Sequence, residues 1–259
     1  RPNLTANEED LLVTMDAVYE FNMRGFEFAP IDLYKSDATK FLITEDGKLR
    51  PADIEKVLLH HEDEHTVIPK MVYITHPTEN GGLYTKAEFK ALSDCCKKHG
   101  LLFYMDGARL GTALTWPTND LSLKEIAEMT DAFYIGGTKC GALFGEAVII
   151  TATALKRRFK AYMKQNGAVL AKGWLLGLQF ATLLENGEYF AITKRADELA
   201  MQIKKAFAGK NIPLWVDSYT NQQFVILNDE QKEKLSAGDF FIGFGKWEVT
   251  LFGMGLILV

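Results

Sequence analysis

The sequence predicts an α/β fold built on parallel strands, and three observations carry that prediction. Residues 101–105 (LLFYM), 132–135 (AFYI) and 147–150 (AVII) are short runs of strand length, apolar on both faces as buried strands are. Helical segments alternate with them, two of them announced by capping boxes, Thr85-Lys-Ala-Glu88 and Ser122-Leu-Lys-Glu125. The first two runs end in turns rich in glycine and charge, MDGAR and GGTKCG. The carboxyl ends of parallel strands are where ligands bind in open α/β sheets.

In chain order, residues 8–23 have Leu11, Leu12, Met15, Val18, Tyr19 and Asn22 near helical spacing and predict a helix. Gly25 and Pro30 break the next stretch into loop and short strands. Asp46-Gly47 signals a turn, and Pro51 opens a helix with Ile54, Val57 and Leu58 on one face. His61-Glu62-Asp63-Glu64-His65 has two histidines four apart, a metal-ligand spacing. It has no apolar side to dock on a core, and it reads as a solvated loop with no metal. Residues 71–75 (MVYIT) predict a buried strand ending in the turn HPTENGG. The helix after Thr85 buries Phe89, Leu92 and Cys96 and stops at Gly100, so strand, helix and strand make a βαβ unit.

Gly145-Glu146 turns the chain into residues 147–151 (AVIIT). From 153 to 210 the pattern is helical: Leu155, Phe159, Tyr162 and Met163 form one face, and Arg157, Arg158, Lys160 and Lys164 a solvated one. Residues 168–187 are apolar nearly all round, which predicts burial in a core or, preferentially, a subunit interface. A long amphipathic helix follows, then two strands around a polar turn within 213–227. These elements divide into a large domain, 1–185, and a small C-terminal α+β domain, 186–259. The N-terminal part is expected to be incomplete or divergent, and the C-terminal domain incomplete, because the tail stops on bare apolar residues.

Composition bounds the function. Of the residues, 47% are hydrophobic and 24% charged, ordinary for a globular chain. A net charge of −5 argues against nucleic acid or an anionic membrane as partner. No apolar run reaches the length of a membrane span, and the start lacks a signal-peptide pattern. Cys95, Cys96 and Cys140 suggest no disulfide framework, so a reducing cytoplasm is expected.

Asp106 and Lys139 are the candidate chemistry. Each sits at or just beyond the end of a strand, in neighbouring glycine-containing turns. A pyridoxal phosphate enzyme needs a lysine amine for a Schiff base and an anion for the pyridinium nitrogen. Arg109 offers a planar fork for a carboxylate. The ordinary alternative is a turn-capping aspartate and a solvated loop lysine.

MDGARLGTAL followed by FYIGGTKCGALFGEAVI resembles the fold-type I pyridoxal phosphate-dependent enzymes, more narrowly the threonine aldolase and aromatic amino acid β-eliminating lyase group. The similarity runs from about Phe41 to about Leu227. It implies a mostly parallel sheet with helices on both faces. It also implies Lys139 as the Schiff-base lysine, Asp106 on the pyridine nitrogen, and Arg109 near the substrate carboxylate or the cofactor. Thr138, beside the lysine, and Thr78 and Asn80, in the turn after residue 75, join the cofactor-binding candidates. His76 and Glu79 join Arg109 as substrate-binding candidates. His76 stands where the group usually has Asn, no Gly-rich phosphate cradle is found (Ser36 to Thr39 is a poor substitute), and no arginine follows Arg195. The implied activity is lysis of an amino acid. It is either cleavage of a β-hydroxy amino acid to glycine and an aldehyde, or β-elimination from an aromatic amino acid, in a homodimer or homotetramer. A non-catalytic dimeric relative, a related aminotransferase and a zinc hydrolase using His61 and His65 are the competing readings.

Overall fold

The structure, a computed structural model, describes residues 47–61, 66–236, 242–243, 249–250 and 256–258. The chain divides into two units, residues 1–42 and 43–259, and all described residues belong to the second. The helix expected over 8–23, the 36–39 segment and residues 62–65 lie outside the described residues.

Local signals set the first elements. Helix α1 (Pro51–His60) starts at its proline, with the Asp53 carboxylate accepting the Arg50 N–H. Strand β1 (Met71–Thr75) leads to α2 (Lys86–His99). The α2 capping box is complete: Thr85 Oγ1 accepts the Glu88 N–H, and the Glu88 carboxylate accepts the Thr85 N–H. Gly100 ends this helix at φ 64°, a left-handed conformation suited to glycine. Strand β2 (Leu102–Asp106), the short α3 (Leu110–Thr115), α4 (Leu123–Met129, capped by Ser122 and Glu125) and β3 (Ala132–Ile135) follow. Strand β4 (Ala147–Ile150) closes a sheet of order β1-β2-β3-β4. β1, β2 and β3 run parallel, and β4 runs antiparallel to β3.

The core lies on one face of this sheet. Val72, Ile74, Phe103, Met105, Phe133 and Ile135 alternate onto that face and are buried against Phe89, Leu92, Leu110 and Ile126 from the helices. Burying each such side chain contributes about 1.5–3 kcal/mol. Tyr73 and Val148, on the opposite face, stay 51% and 55% exposed, so the two faces have different environments.

Beyond β4 come α5 (Thr153–Lys156), α6 (Phe159–Gln165), α7 (Trp174–Glu185) and α8 (Glu188–Ala208). The continuous helix expected from Leu155 to Met163 is broken at Arg158, which sits at φ 60°. Its apolar face is not buried: α5 and α6 contain no buried residue. Of the two placements weighed for 168–187, a core and the preferred subunit interface, the core alone does not account for α7: Phe180 is its buried residue, while Trp174 is 63% exposed. A helix apolar on all sides has more apolar surface than one packing neighbour covers. Asn186 and Gly187 separate α7 from α8. Helix α8 packs on α3 across Gly111, where a Cβ would stand 2.5 Å from Thr193 Cγ2.

The C-terminal part forms a second sheet, β5-β8-β7-β6, from β5 (Gln223–Val225), β6 (Ile242–Gly243), β7 (Val249–Thr250) and β8 (Leu256–Leu258), with α9 (Asp229–Ser236) between β5 and β6. The two strands expected within 213–227 reduce to β5 and a bridge at Leu214. The polar turn between them is buried at Ser218, Thr220, Asn221 and Gln222, held partly by the Tyr219 N–H donating to the Gly81 carbonyl.

Candidate active site

Asp106 is the last residue of β2. Three groups donate to its carboxylate: the Tyr73 hydroxyl to Oδ2, the Tyr134 hydroxyl to Oδ1, and the Ala108 N–H to Oδ1 at 2.9 Å. Both tyrosines come from the strands flanking β2. The β2–β3 register pairs Tyr104 with Ala132, and carrying it two residues further sets Tyr134 beside Asp106. Tyr73 stacks on Tyr104 at 5.6 Å, and Tyr104 lies 6.5 Å from Tyr134, so three rings line the sheet face beneath the carboxylate. Desolvation and the Asp106 charge push both flanking hydroxyls to higher pKa, so they stay protonated donors.

The turn carrying Lys139 is knitted to the turn after Asp106. The Gly136 N–H donates to the Gly107 carbonyl at 2.9 Å, and Cys140 Sγ lies 3.8 Å from the Ala108 oxygen. This approach is possible only without side chains, because a Cβ on Gly136 would stand 2.1 Å from the Ala108 oxygen and one on Gly107 2.1 Å from the Tyr134 oxygen. Lys139 and Thr138 are exposed in that turn, and the Thr138 hydroxyl donates to Glu146.

Arg109 precedes α3 and is half-buried, with its Nε buried and without a hydrogen-bond partner among the described residues. Desolvation lowers its pKa, opposed by the charges of Glu79, Cys140, Asp106 and Tyr134. An unused buried guanidinium N–H is a donor available to an anion. Glu79 is exposed and lies within electrostatic range of both Arg109 and Tyr73. Asn80 is half-buried near Gly47, and Thr78 is buried with its hydroxyl accepting the Gly82 N–H of its own turn.

His76 is placed differently. It follows Val72 and Ile74 onto the helix-covered face, fully buried against Tyr84 and Phe89. Asp106 faces the other side with Tyr73, so the structure does not bring His76 to that carboxylate. Burial lowers the His76 pKa to about 4. His61, the described half of the histidine pair, has Nδ1 2.7 Å from the Val67 carbonyl, which makes that nitrogen a donor rather than a metal ligand.

Sequence reasoning missed Tyr73, Tyr134 and Glu146. The signal for the tyrosines was strand alternation, since Tyr104 and Asp106 share a face and each flanking strand puts a tyrosine on it. Glu146 had only its place before β4.

The beta-eliminating lyase family model matches residues 12–230. Two low specificity L-threonine aldolases are similar. The one from Pseudomonas sp. is 34% identical over 185 residues, 67% of this chain and 51% of that protein. The one from Pseudomonas aeruginosa is 31% identical over 220 residues, 81% of this chain and 63% of that protein. The solved Leishmania major threonine aldolase is 44% identical, with a TM-score of 0.74, covering 83% of this chain and 61% of that one. A separate short match, 49% identical over 49 residues to a DNA polymerase III PolC-type from Caldanaerobacter subterraneus, covers 19% of this chain and 4% of that protein. The chain thus spans between about half and under two thirds of the length of the threonine aldolases it matches. With a family match reaching from before the described residues to α9, and the Asp106 and Lys139 turns joined at one sheet edge, the chain belongs to the beta-eliminating lyase family.

Proposed function

We propose that this chain carries the catalytic core of a lyase that cleaves a β-hydroxy amino acid, in the manner of a threonine aldolase, to glycine and an aldehyde. The observation that carries the reading is the hydrogen-bonded junction of the Asp106 and Lys139 turns at the ends of neighbouring parallel strands. The family is pyridoxal phosphate-dependent, and the residues fit that cofactor. Among the described residues Asp106 Oδ2 accepts only the Tyr73 hydroxyl, which leaves a lone pair for a ring N–H. Arg109 keeps an unused buried donor for a carboxylate or phosphate, and the Lys139 amine is exposed. Lys139, Asp106 and Arg109 would hold the group, with Thr138, Thr78 and Asn80 in the adjoining turns and Glu79 on the substrate side.

The cofactor, when bound, supplies an electron sink for the pair released from a Cα bond. The protein's part is positional and electrostatic. Asp106, its carboxylate oriented from both sides by tyrosine hydroxyls, would accept a hydrogen bond from the ring nitrogen. Lys139 would supply the amine to which the group attaches and, when free, a base close to the substrate. Arg109 fixes the substrate carboxylate, so the bond to be broken is presented in one orientation.

Purified protein tests this. Turnover of L-threonine to acetaldehyde and glycine, with visible cofactor absorbance that Lys139→Ala abolishes, is expected. Release of a leaving group from tyrosine or tryptophan instead would move the reading to β-elimination, and absorbance unchanged in Lys139→Ala would end it.

The partner is a second copy of this chain, in a dimer or tetramer. Support comes from apolar side chains left outward on and around α7: Trp174, Leu175, Leu178, Leu143 and Phe144 are all exposed, and Gln179 ties the last two to the helix. A reducing cytoplasm suits the three free, buried cysteines, and no helix among the described residues is long and apolar enough to cross a membrane.

A further inference from the structure

We propose that Glu146 is a positioning residue that holds the Lys139 turn in its working shape. Glu146 stands immediately before β4, the strand antiparallel to the one that delivers the lysine. Its carboxylate reaches back across the loop. One oxygen accepts the Gly137 N–H, and the other accepts the Thr138 hydroxyl at 3.4 Å. Lys139 is the next residue.

The Gly137 carbonyl is used as well, accepting N–H groups from Cys140 and Ala142, each at 2.9 Å. Both polar groups of one buried glycine therefore define the turn: its carbonyl winds residues 137–142, and its N–H is tied to Glu146. The contact is close because a Cβ on Gly137 would stand 2.1 Å from the Gly145 oxygen. Gly145, at φ 81°, lets the strand pass over the turn and bring Glu146 into place. The same carboxylate acts electrostatically on Tyr134, a hydrogen-bond donor to Asp106. Glu146 thus touches the lysine turn directly and reaches the Asp106 side through Tyr134.

The residue type follows from the donors. A backbone N–H and a hydroxyl both point at it, and a carboxylate accepts from both without offering a competing proton. Glutamine retains one acceptor oxygen for Gly137, and its amide can donate to a reoriented Thr138 hydroxyl. Alanine leaves the Gly137 N–H in a half-buried site without a partner.

The inference rests on the reading of Lys139 as the cofactor lysine, and the test separates the two. Full-length holoprotein is prepared as parent, Glu146→Ala, Glu146→Gln and Lys139→Ala. Readouts are kcat and KM for threonine, the pH midpoint of the cofactor's visible absorbance, and the melting temperature of the cofactor-free protein. Glu146→Ala is expected to lower kcat roughly 10- to 100-fold with a smaller change in KM, as misplacement of a reacting group does. It is also expected to shift the pH midpoint, and Glu146→Gln to restore most of both. An unchanged kcat and midpoint in Glu146→Ala overturns the proposal, as does a Glu146→Gln variant as impaired as the alanine. So does a kcat loss matched by collapse of the melting temperature with the midpoint unmoved. Visible absorbance persisting in Lys139→Ala sinks the lysine assignment itself. Should Glu146→Ala fail to fold, Glu146→Asp, one methylene too short to span both donors, takes its place with the same expectations.

Discussion

The Tyr134 hydroxyl donates to Asp106 Oδ1 from the neighbouring strand, while Tyr73 donates to the other oxygen from the opposite side. The carboxylate therefore cannot rotate without breaking a hydrogen bond. Tyr134→Phe removes one brace and leaves the ring packing in place. A hydrogen bond to a charged group contributes about 1.5–3 kcal/mol, so kcat/KM is expected to fall roughly 10- to 100-fold. Steady-state kinetics of Tyr134→Phe, Tyr73→Phe and the double variant would show whether the two braces act as a unit.

Gly136 is the contact point between the turns that carry Asp106 and Lys139. A Cβ there meets the Ala108 carbonyl oxygen at 2.1 Å, so Gly136→Ala must push the turns apart. A stability loss of about 1–3 kcal/mol is expected, typical of overpacking. A urea titration should show a lower midpoint at unchanged slope, together with weaker cofactor retention.

Asp197 on α8 is 4% exposed, and burial raises its pKa to about 8, only partly offset by the Thr115 hydroxyl and the Asn221 backbone. The folded chain therefore keeps a proton that the unfolded chain releases. That stabilisation is full below about pH 4 and is lost as pH rises towards 8. The slope is up to about 1.4 kcal/mol per pH unit. Asp197→Asn cannot titrate, so its melting temperature should stay flat from about pH 6.5 to 8 while that of the parent declines.

His76 has the opposite sign. Burial lowers its pKa from 6.5 to about 4, so the unfolded chain takes up a proton that the folded chain refuses. Stability from this group is present above pH 6.5 and is lost as pH falls to about 4. His76→Asn should flatten the acid limb in that window, measured as melting temperature against pH. Between about pH 4 and 6.5 the two groups oppose each other, so each effect is best read against its own variant.

Trp174 is 63% exposed on α7. If a second copy covers this face, Trp174→Glu buries a charge at the contact and shifts the protein towards monomer. Sedimentation velocity should then show the smaller species at concentrations where the parent is assembled.

Much of the fold was legible from local signals. The capping boxes at Thr85 and Ser122, the stop at Gly100, the proline start at Pro51 and the strands ending at Thr75, Asp106 and Ile135 all stand where short-range chemistry set them. The meeting of the Asp106 and Lys139 turns was legible too, because parallel strands share one carboxyl edge. The long apolar segment around Trp174 was less so, since composition reports how much apolar surface exists and not what covers it.

From the sequence alone came the element order, the parallel arrangement and the two residues proposed to carry the chemistry. Those depend on contacts within a few residues and on strand alternation. Only the tertiary structure decided that Tyr73 and Tyr134 flank Asp106, that Glu146 ties down Gly137, that His76 faces the core and that Asp197 is buried. Each of these turns on which strands are neighbours and in what register, a relation between distant residues that no local pattern encodes.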